Sequence, residues 1–322
     1  MVIIIAGANL SKYGDVIAEE SGLGRAWIGL VLLASITSMP ELITGVSSVA
    51  LVGEIDLGFG EIMGSCVFNL AILALMDPVN GKVSIFSTAG KGHVLSAAFS
   101  VLLIGIAAIS IETASFVPTF WHISFSTPII FVIYFIGMRT LYKYEKSVID
   151  EFVSDVAEEL KAKKITLKRA IVMFSINAGV VIIAAIFLPY IAEHIAELTG
   201  LGSTFVGSTF VALATSLPEV VISIAALRLG AIDMAIANMF GSNMFNILVL
   251  GVEDIVYTPG SIFAEVSKSH TVTGVISIVM ASIAVIALTY RQTKSALLRF
   301  GWGTFTILIV GLFNFLVLYM MR

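Results

Sequence analysis

Six stretches of this chain, residues 94–111, 113–138, 170–192, 234–252, 269–290 and 300–321, contain no Asp, Glu, Lys or Arg. A helix of about 20 such residues crosses the roughly 30 Å hydrocarbon core of a bilayer and satisfies its own backbone polar groups on the way. Three more apolar stretches, 26–52, 57–76 and 204–227, are interrupted only by Glu41, Glu61 and Glu219. With a weaker first helix from residue 1 to about 18, the pattern predicts an all-α membrane protein of ten transmembrane helices. Only 12% of the 322 residues are charged, about half the share of a soluble domain, while 58% are hydrophobic, which excludes a soluble enzyme.

Lys and Arg alternate strongly between the two sides of these spans. With the N-terminus outside, fifteen of the 18 fall inside, among them Arg139, Lys143, Lys146, Lys161, Lys163, Lys164, Lys168 and Arg169. Lys268 and Arg322 fall outside, and Lys12 lies in the first span. The bias predicts a multi-pass cell-membrane protein with both termini outside and the long connection between spans five and six in the cytoplasm. Trp27, Trp121 and Trp302 sit near span ends, where indoles anchor at the interface. Three regions follow: a first membrane repeat over 1–142, a connection over 143–167 and a second membrane repeat over 168–322. In the connection, Val148, Ile149, Phe152, Val153, Val156 and Leu160 recur at helical spacing opposite Asp150, Glu151, Asp155, Glu158 and Glu159, the pattern of a solvated amphipathic helix. No calcium-loop motif is present there.

Other classes drop out on composition. The net charge of −4 leaves no basic face for nucleic acid. Cys66 is alone, so there is no intramolecular disulfide and no cysteine metal cage. Residues 1–10 lack the basic start of a cleavable signal. Nor is a His-Glu-x-x-His motif present, and no Ser and His pair falls at membrane depth, so the chain reads as a non-enzyme.

The two halves repeat each other. At an offset of 178, Gly22-Leu-Gly24 falls on Gly200-Leu-Gly202, Gly29 on Gly207, and Thr37-Ser-Met-Pro-Glu41 on Thr215-Ser-Leu-Pro-Glu219. One residue of slippage then sets Gly64-Ser-Cys-Val-Phe-Asn69 on Gly241-Ser-Asn-Met-Phe-Asn246. Five spans per half is an odd number, so the second half enters the membrane from the opposite face. Two inverted five-helix repeats meeting at polar, broken helices are the usual construction of a secondary transporter.

An ionised carboxylate at the bilayer centre is costly unless a cation or proton accompanies it. No Lys or Arg lies at comparable depth to pair with Glu41 and Glu219. Pro40 and Pro218 cannot donate to the helix ladder and break each span close to its glutamate. Thr37, Ser38, Thr215 and Ser216 lie three or four residues earlier, on the face of the carboxylates. Ser65 with Asn69, and Ser242 with Asn246, lie one turn apart, although Gly64, Ser65, Gly241 and Ser242 also suit close helix packing. Oxygen ligands of this kind suit Ca²⁺ or Na⁺ rather than Zn²⁺ or Cu. The four histidines, His93, His122, His194 and His270, fall toward span ends and read as interfacial. Glu61 lies on the stripe of Ser65, and three roles stand open for it: a third acidic ligand, a gate, or a protonated bystander.

These motifs resemble those of the cation/Ca²⁺ antiporter superfamily, and within it the prokaryotic sodium/calcium exchangers, over essentially the whole chain. The family signature, Gly-Thr-Ser-x-Pro-Glu followed by Gly-Ser-Asn, is matched by Thr37 to Glu41 with Gly64 to Asn69, and by Thr215 to Glu219 with Gly241 to Asn246. The resemblance implies that Glu41 and Glu219 are central Ca²⁺ ligands assisted by Thr37 and Thr215. By the same resemblance Ser38, Ser65, Ser216 and Ser242 complete flanking Na⁺ sites, and Asn69 and Asn246 supply the remaining ligands. The chain departs from the pattern at Ile36 and Ala214, where the family has glycine, and at Asn246, where many sodium exchangers carry aspartate. Glu61 stands where asparagine is common. Together these readings predict an antiporter exchanging Ca²⁺ for Na⁺ by alternating access, with no cofactor beyond the transported ions and the lipid bilayer as its surroundings. A proton-coupled cation exchanger of the same fold is the alternative, and a cation channel is the rival from another class.

Overall fold

The computed structural model describes residues 2–21, 28–81, 83–153, 166–185, 194–195, 198–291 and 300–321. Gly22, Gly24, Arg25, Trp27, Lys82, Lys294, Arg299, Arg322 and stretch 154–165 of the connection lie outside the described residues. In chain order the long helices are α1 (Val2–Ser21), a broken helix α2 (Ile28–Leu33, Ala34–Thr37, Met39–Ser47, Ser48–Val52), α3 (Ile55–Asn80) and α4 (His93–Thr113). They continue as α5 (Ser126–Val153), α6 (Leu167–Ala185), a second broken helix α7 (Ser203–Arg228), α8 (Ile232–Val256), α9 (Ser269–Tyr290) and α10 (Trp302–Met321). Among the described residues seven helices are long and apolar enough to cross a membrane: Leu30–Val52 within α2, and α3, α4, α7, α8, α9 and α10. A two-residue hairpin, Thr119–Phe120 with Ile123–Ser124, stands between α4 and α5.

Helices α3 and α8 form the centre of the bundle. Their apolar windows are 72% and 89% buried, against 28% for α10 at the edge. A helix that is apolar or small on every side belongs in such an interior, and both α3 and α8 pack glycine against backbone. A Cβ at Gly64 would strike the Ser208 backbone, and one at Gly241 would lie 2.5 Å from the Leu30 carbonyl oxygen. The central helix of each half thereby beds into the broken helix of the other. Outside this centre α1 and α6 pack on each other and on α7 and α2, with an Asn9–Asn177 hydrogen bond of 3.1 Å between them.

Four aspartates at the ends of α3 and α8 tie the halves together. Asp77 accepts from Ser84 Oγ (3.1 Å), Ile85 N (2.7 Å), Gly301 N (2.7 Å) and Thr304 Oγ1 (2.6 Å). Asp254 accepts from Ser261 Oγ (3.0 Å), Ile262 N (2.9 Å), Ser124 N (2.7 Å) and Thr127 Oγ1 (2.5 Å). Every partner of Asp254 is the repeat mate of a partner of Asp77, at one residue less than the offset of the first motif. The other two repeat the logic: Asp56 holds Ser267 N (2.7 Å) and His270 Nε2 (2.9 Å), and Asp233 holds Gly90 N (2.7 Å) and His93 Nε2 (2.9 Å).

Two expectations need correction. His93 and His270 are 2% and 0% exposed and serve these inter-half contacts, so they are not interfacial. A carboxylate within reach of a buried imidazole replaces the water that an interfacial histidine would use. His194 is exposed and His122 half-buried, and His122 Nε2 meets the Ile255 carbonyl at 2.9 Å. Second, the apolar stretch 113–138 is not one helix: α4 stops at Thr113, and α5 begins only at Ser126, after Pro118 and the hairpin. Helix α5 itself runs on to Val153, into the connection read from residue 143, where Val148, Ile149, Phe152 and Val153 recur at helical spacing. No Gly or Pro between residues 139 and 153 stops it.

Candidate functional site

Each broken helix is interrupted at a serine. Ser38 (φ −87°, ψ 8°) and Ser216 (φ −79°, ψ 1°) leave the helical region, and a new half-helix starts with Met39-Pro40-Glu41 or Leu217-Pro218-Glu219. Proline suits this place because the first turn of a helix has no use for its missing N–H. The break thus falls three residues before each glutamate, slightly earlier than the sequence suggests. Glu41 and Glu219 occupy the first turns, where the half-helix dipole favours negative charge, while Thr37 and Thr215 close the preceding halves, whose carbonyl ends favour a cation. Just upstream each helix widens into a π-helical segment, Ile28–Leu33 and Gly207–Val211, and such bulges often mark functional sites.

The two breaks face one another. Glu219 Oε1 accepts hydrogen bonds from Ser38 Oγ of the opposite half (3.2 Å) and from Ser242 Oγ (3.4 Å). Glu219 and Glu61 are both charged neighbours of Glu41. Thr215 lies beside Glu41 and Glu61, and Thr37 beside Glu219, so each threonine stands next to a carboxylate of the other half. Both threonine hydroxyls donate back to their own helices, Thr37 to the Ala34 carbonyl at 3.3 Å and Thr215 to that of Val211 at 3.1 Å. Their oxygen lone pairs stay available.

All eleven residues singled out from the sequence are fully buried, among them Ser65, Asn69, Ser216, Asn246 and Glu61. Both oxygens of Glu41 and of Glu61, Glu219 Oε2, Ser65 Oγ, Ser216 Oγ, Asn69 Oδ1 and both amide atoms of Asn246 make no hydrogen bond within the protein. Leaving so many buried polar atoms unpaired costs on the order of 1–3 kcal/mol each. No lysine or arginine is buried among the described residues. Nor do three His, Cys, Asp or Glu side chains converge there as a ready-made metal cage. What converges is a set of carboxylate, amide and hydroxyl oxygens, the donor set for a hard cation.

Two contributors escaped the sequence reading. Asn243 accepts from Asn69 Nδ2 (3.0 Å) and donates to the Cys66 carbonyl (3.4 Å), which turns Asn69 so that its Oδ1 stays free. Glu253 lies just past the charge-free stretch 234–252, is 0% exposed, and has no hydrogen bond on either oxygen. Its spacing of seven from Asn246 places it on the same face of α8, a signal available in the sequence.

A family model described as sodium/calcium exchanger protein matches residues 1–141 and 169–322. The chain belongs to the sodium/calcium exchanger family. It is a multi-pass membrane transporter and not an enzyme. The sodium/calcium exchanger MaX1 of Methanosarcina acetivorans is 25% identical over 91% of this chain and 89% of its own length. The inner membrane protein YrbG of Escherichia coli is 24% identical over 87% of this chain and 85% of its own. Among solved structures, the sodium-calcium exchanger NCX_Mj superposes with a TM-score of 0.67 at 20% identity, covering 97% of this chain and 93% of that one.

Proposed function

We propose that this exchanger moves Ca²⁺ against Na⁺ by alternating access through one shared site. The observation that carries the reading is the buried pair Glu41 and Glu219, set at two facing helix breaks and ringed by unpartnered oxygens, with no buried Lys or Arg among the described residues. Two carboxylates balance one Ca²⁺ or two Na⁺ equally well. Occupancy by either removes the charge penalty that arrests an empty site. Glu41, Glu219, Thr37 and Thr215 hold Ca²⁺ in this reading, and Ser38, Ser65, Ser216 and Ser242 with Asn69 and Asn246 complete the Na⁺ positions. MaX1 carries sodium/calcium exchange in its name, which supports the same direction.

The architecture that goes with this function is ten spans in two inverted five-helix repeats. Both termini and the hairpin end then lie outside, and the connection between α5 and α6 lies in the cytoplasm. Helices α1 and α6, packed together outside the polar cluster, slide against the rest to switch access. A proton-coupled exchanger is the second reading, favoured by asparagine at both 69 and 246 and by the extra carboxylate of Glu61. The test is ⁴⁵Ca²⁺ uptake into proteoliposomes loaded with Na⁺ at matched pH, beside a set carrying only a pH gradient. Na⁺-driven uptake supports the first reading, pH-driven uptake alone moves coupling to protons, and flux that needs no counter-ion leaves a channel.

A further inference from the structure

The central cluster does not account for every unpartnered oxygen near it. Glu253 is fully buried on the last third of α8 and shares its face with Ser242 and Asn246. One carboxylate oxygen of Glu253 lies against Gly45, in the space where any larger residue would put its Cβ. Thr44 and Ser48 flank Gly45 on the buried face of α2, and neither hydroxyl has a hydrogen-bond partner. From α3, Gly58 approaches Gly45 and Ser48 closely, with a Cβ position 3.0 Å from the Gly45 carbonyl oxygen and 3.2 Å from Ser48 Cβ. That contact brings in Glu61, one turn further along α3. Glu253 and Glu219 are both charged neighbours of Glu61.

Three helices therefore bring two carboxylates and two hydroxyls to one place, and all six of these oxygens are buried and unpaired. Two carboxylates without a counter-ion are far too costly to bury ionised. Glu253 stands seven residues, about 10 Å along the helix, beyond Asn246, toward the end of the bundle that carries the hairpin. It has no counterpart in the first half, where Met76 occupies the equivalent position.

We propose that Glu61 and Glu253, with Thr44 and Ser48, form a second site for a hard divalent cation, a staging post between the hairpin end of the bundle and the Glu41–Glu219 pair. The proposal rests on the exchange reading above and extends it: Ca²⁺ arriving from the hairpin end is held by Glu61 and Glu253 before the central pair takes it. Glu61 then joins the two tiers, since it feels the charge of both Glu253 and Glu219.

The experiment is equilibrium ⁴⁵Ca²⁺ binding to the purified full-length protein in nanodiscs without Na⁺. The expected result is two Ca²⁺ per chain for the wild type and one for E253Q, with the remaining ion lost in the double variant E41Q/E253Q. T44V/S48A, which leaves every carboxylate in place, keeps the central ion and weakens the second by about tenfold. One Ca²⁺ per chain in the wild type, or two in both E253Q and T44V/S48A, overturns the second site. Failure of the exchange reading shows separately, as a wild type that binds no Ca²⁺ or an E219Q variant whose Ca²⁺ flux is unchanged.

Discussion

The two ends of the central cluster are built from repeat-related positions and carry opposite chemistry. Toward the hairpin stand Thr44, Gly45, Ser48, Glu61 and Glu253. At the matching positions toward the other end stand Ile222, Ser223, Ala226, Asn238 and Met76. Both sets are buried, but the second carries no carboxylate: Asn238 Nδ2 donates to Ser223 Oγ at 3.3 Å, Asn238 Oδ1 is unpaired, and Met76, Ile222 and Ala226 belong to the hydrophobic core. Ser223 fills with a hydroxyl the space that Gly45 leaves for a carboxylate. The difference teaches that duplication preserved the central glutamates and the scaffold around them, while the approaches diverged. One end gathers two carboxylates and two hydroxyls without partners, and the other holds one amide–hydroxyl pair among apolar side chains.

The comparison can be broken at its shared centre first. E41Q and E219Q each remove a carboxylate at the centre of the proposed site, and each is expected to lower ⁴⁵Ca²⁺ uptake by at least about 100-fold, the upper end of what losing even an outer-shell partner of a metal ligand costs. Unchanged uptake in either variant removes the centre from the transport path. Next comes the difference between the ends. G45A puts a methyl group onto the Glu253 carboxylate and is expected to reduce uptake by about tenfold, an amount equal to ~1.4 kcal/mol. S223A, its repeat mate, is expected to stay within about threefold of wild type, since it removes one neutral hydrogen bond. Equal losses in the two variants erase the asymmetry.

The scaffold should instead respond alike at both ends. D77N and D254N each weaken an acceptor of four hydrogen bonds, and each is expected to cost about 1.5–3 kcal/mol of stability. Thermal unfolding in detergent, followed by tryptophan fluorescence, checks this, and a large gap between the two variants denies the scaffold its symmetry. The smallest effect is expected at the outer helices. N9A removes a single part-buried amide contact to Asn177 and should cost about 1 kcal/mol or less.

Much of this was legible without coordinates. Helix after helix follows from charge-free apolar runs, because a backbone in lipid has no alternative to bonding itself. The pairing of Glu41 with Glu219 follows from a duplicated Pro-Glu motif with no buried base to answer it. Even so, the hairpin hidden in the stretch 113–138 was not legible, since hydropathy does not distinguish a lipid-facing turn of helix from an apolar loop at its end.

Chain chemistry by itself determined that this protein spans a membrane, repeats itself and buries two acidic residues at broken helices. Only the tertiary structure decided which partners those residues meet. That Ser38 reaches Glu219 across the halves, that Asp56 and Asp233 hold His270 and His93, and that Glu253 comes to rest on Gly45 are all contacts between residues more than 100 positions apart. Local propensity carries no record of such contacts. They arise when two halves of one chain pack closely enough for a missing side chain on one helix to become the space for a carboxylate on another.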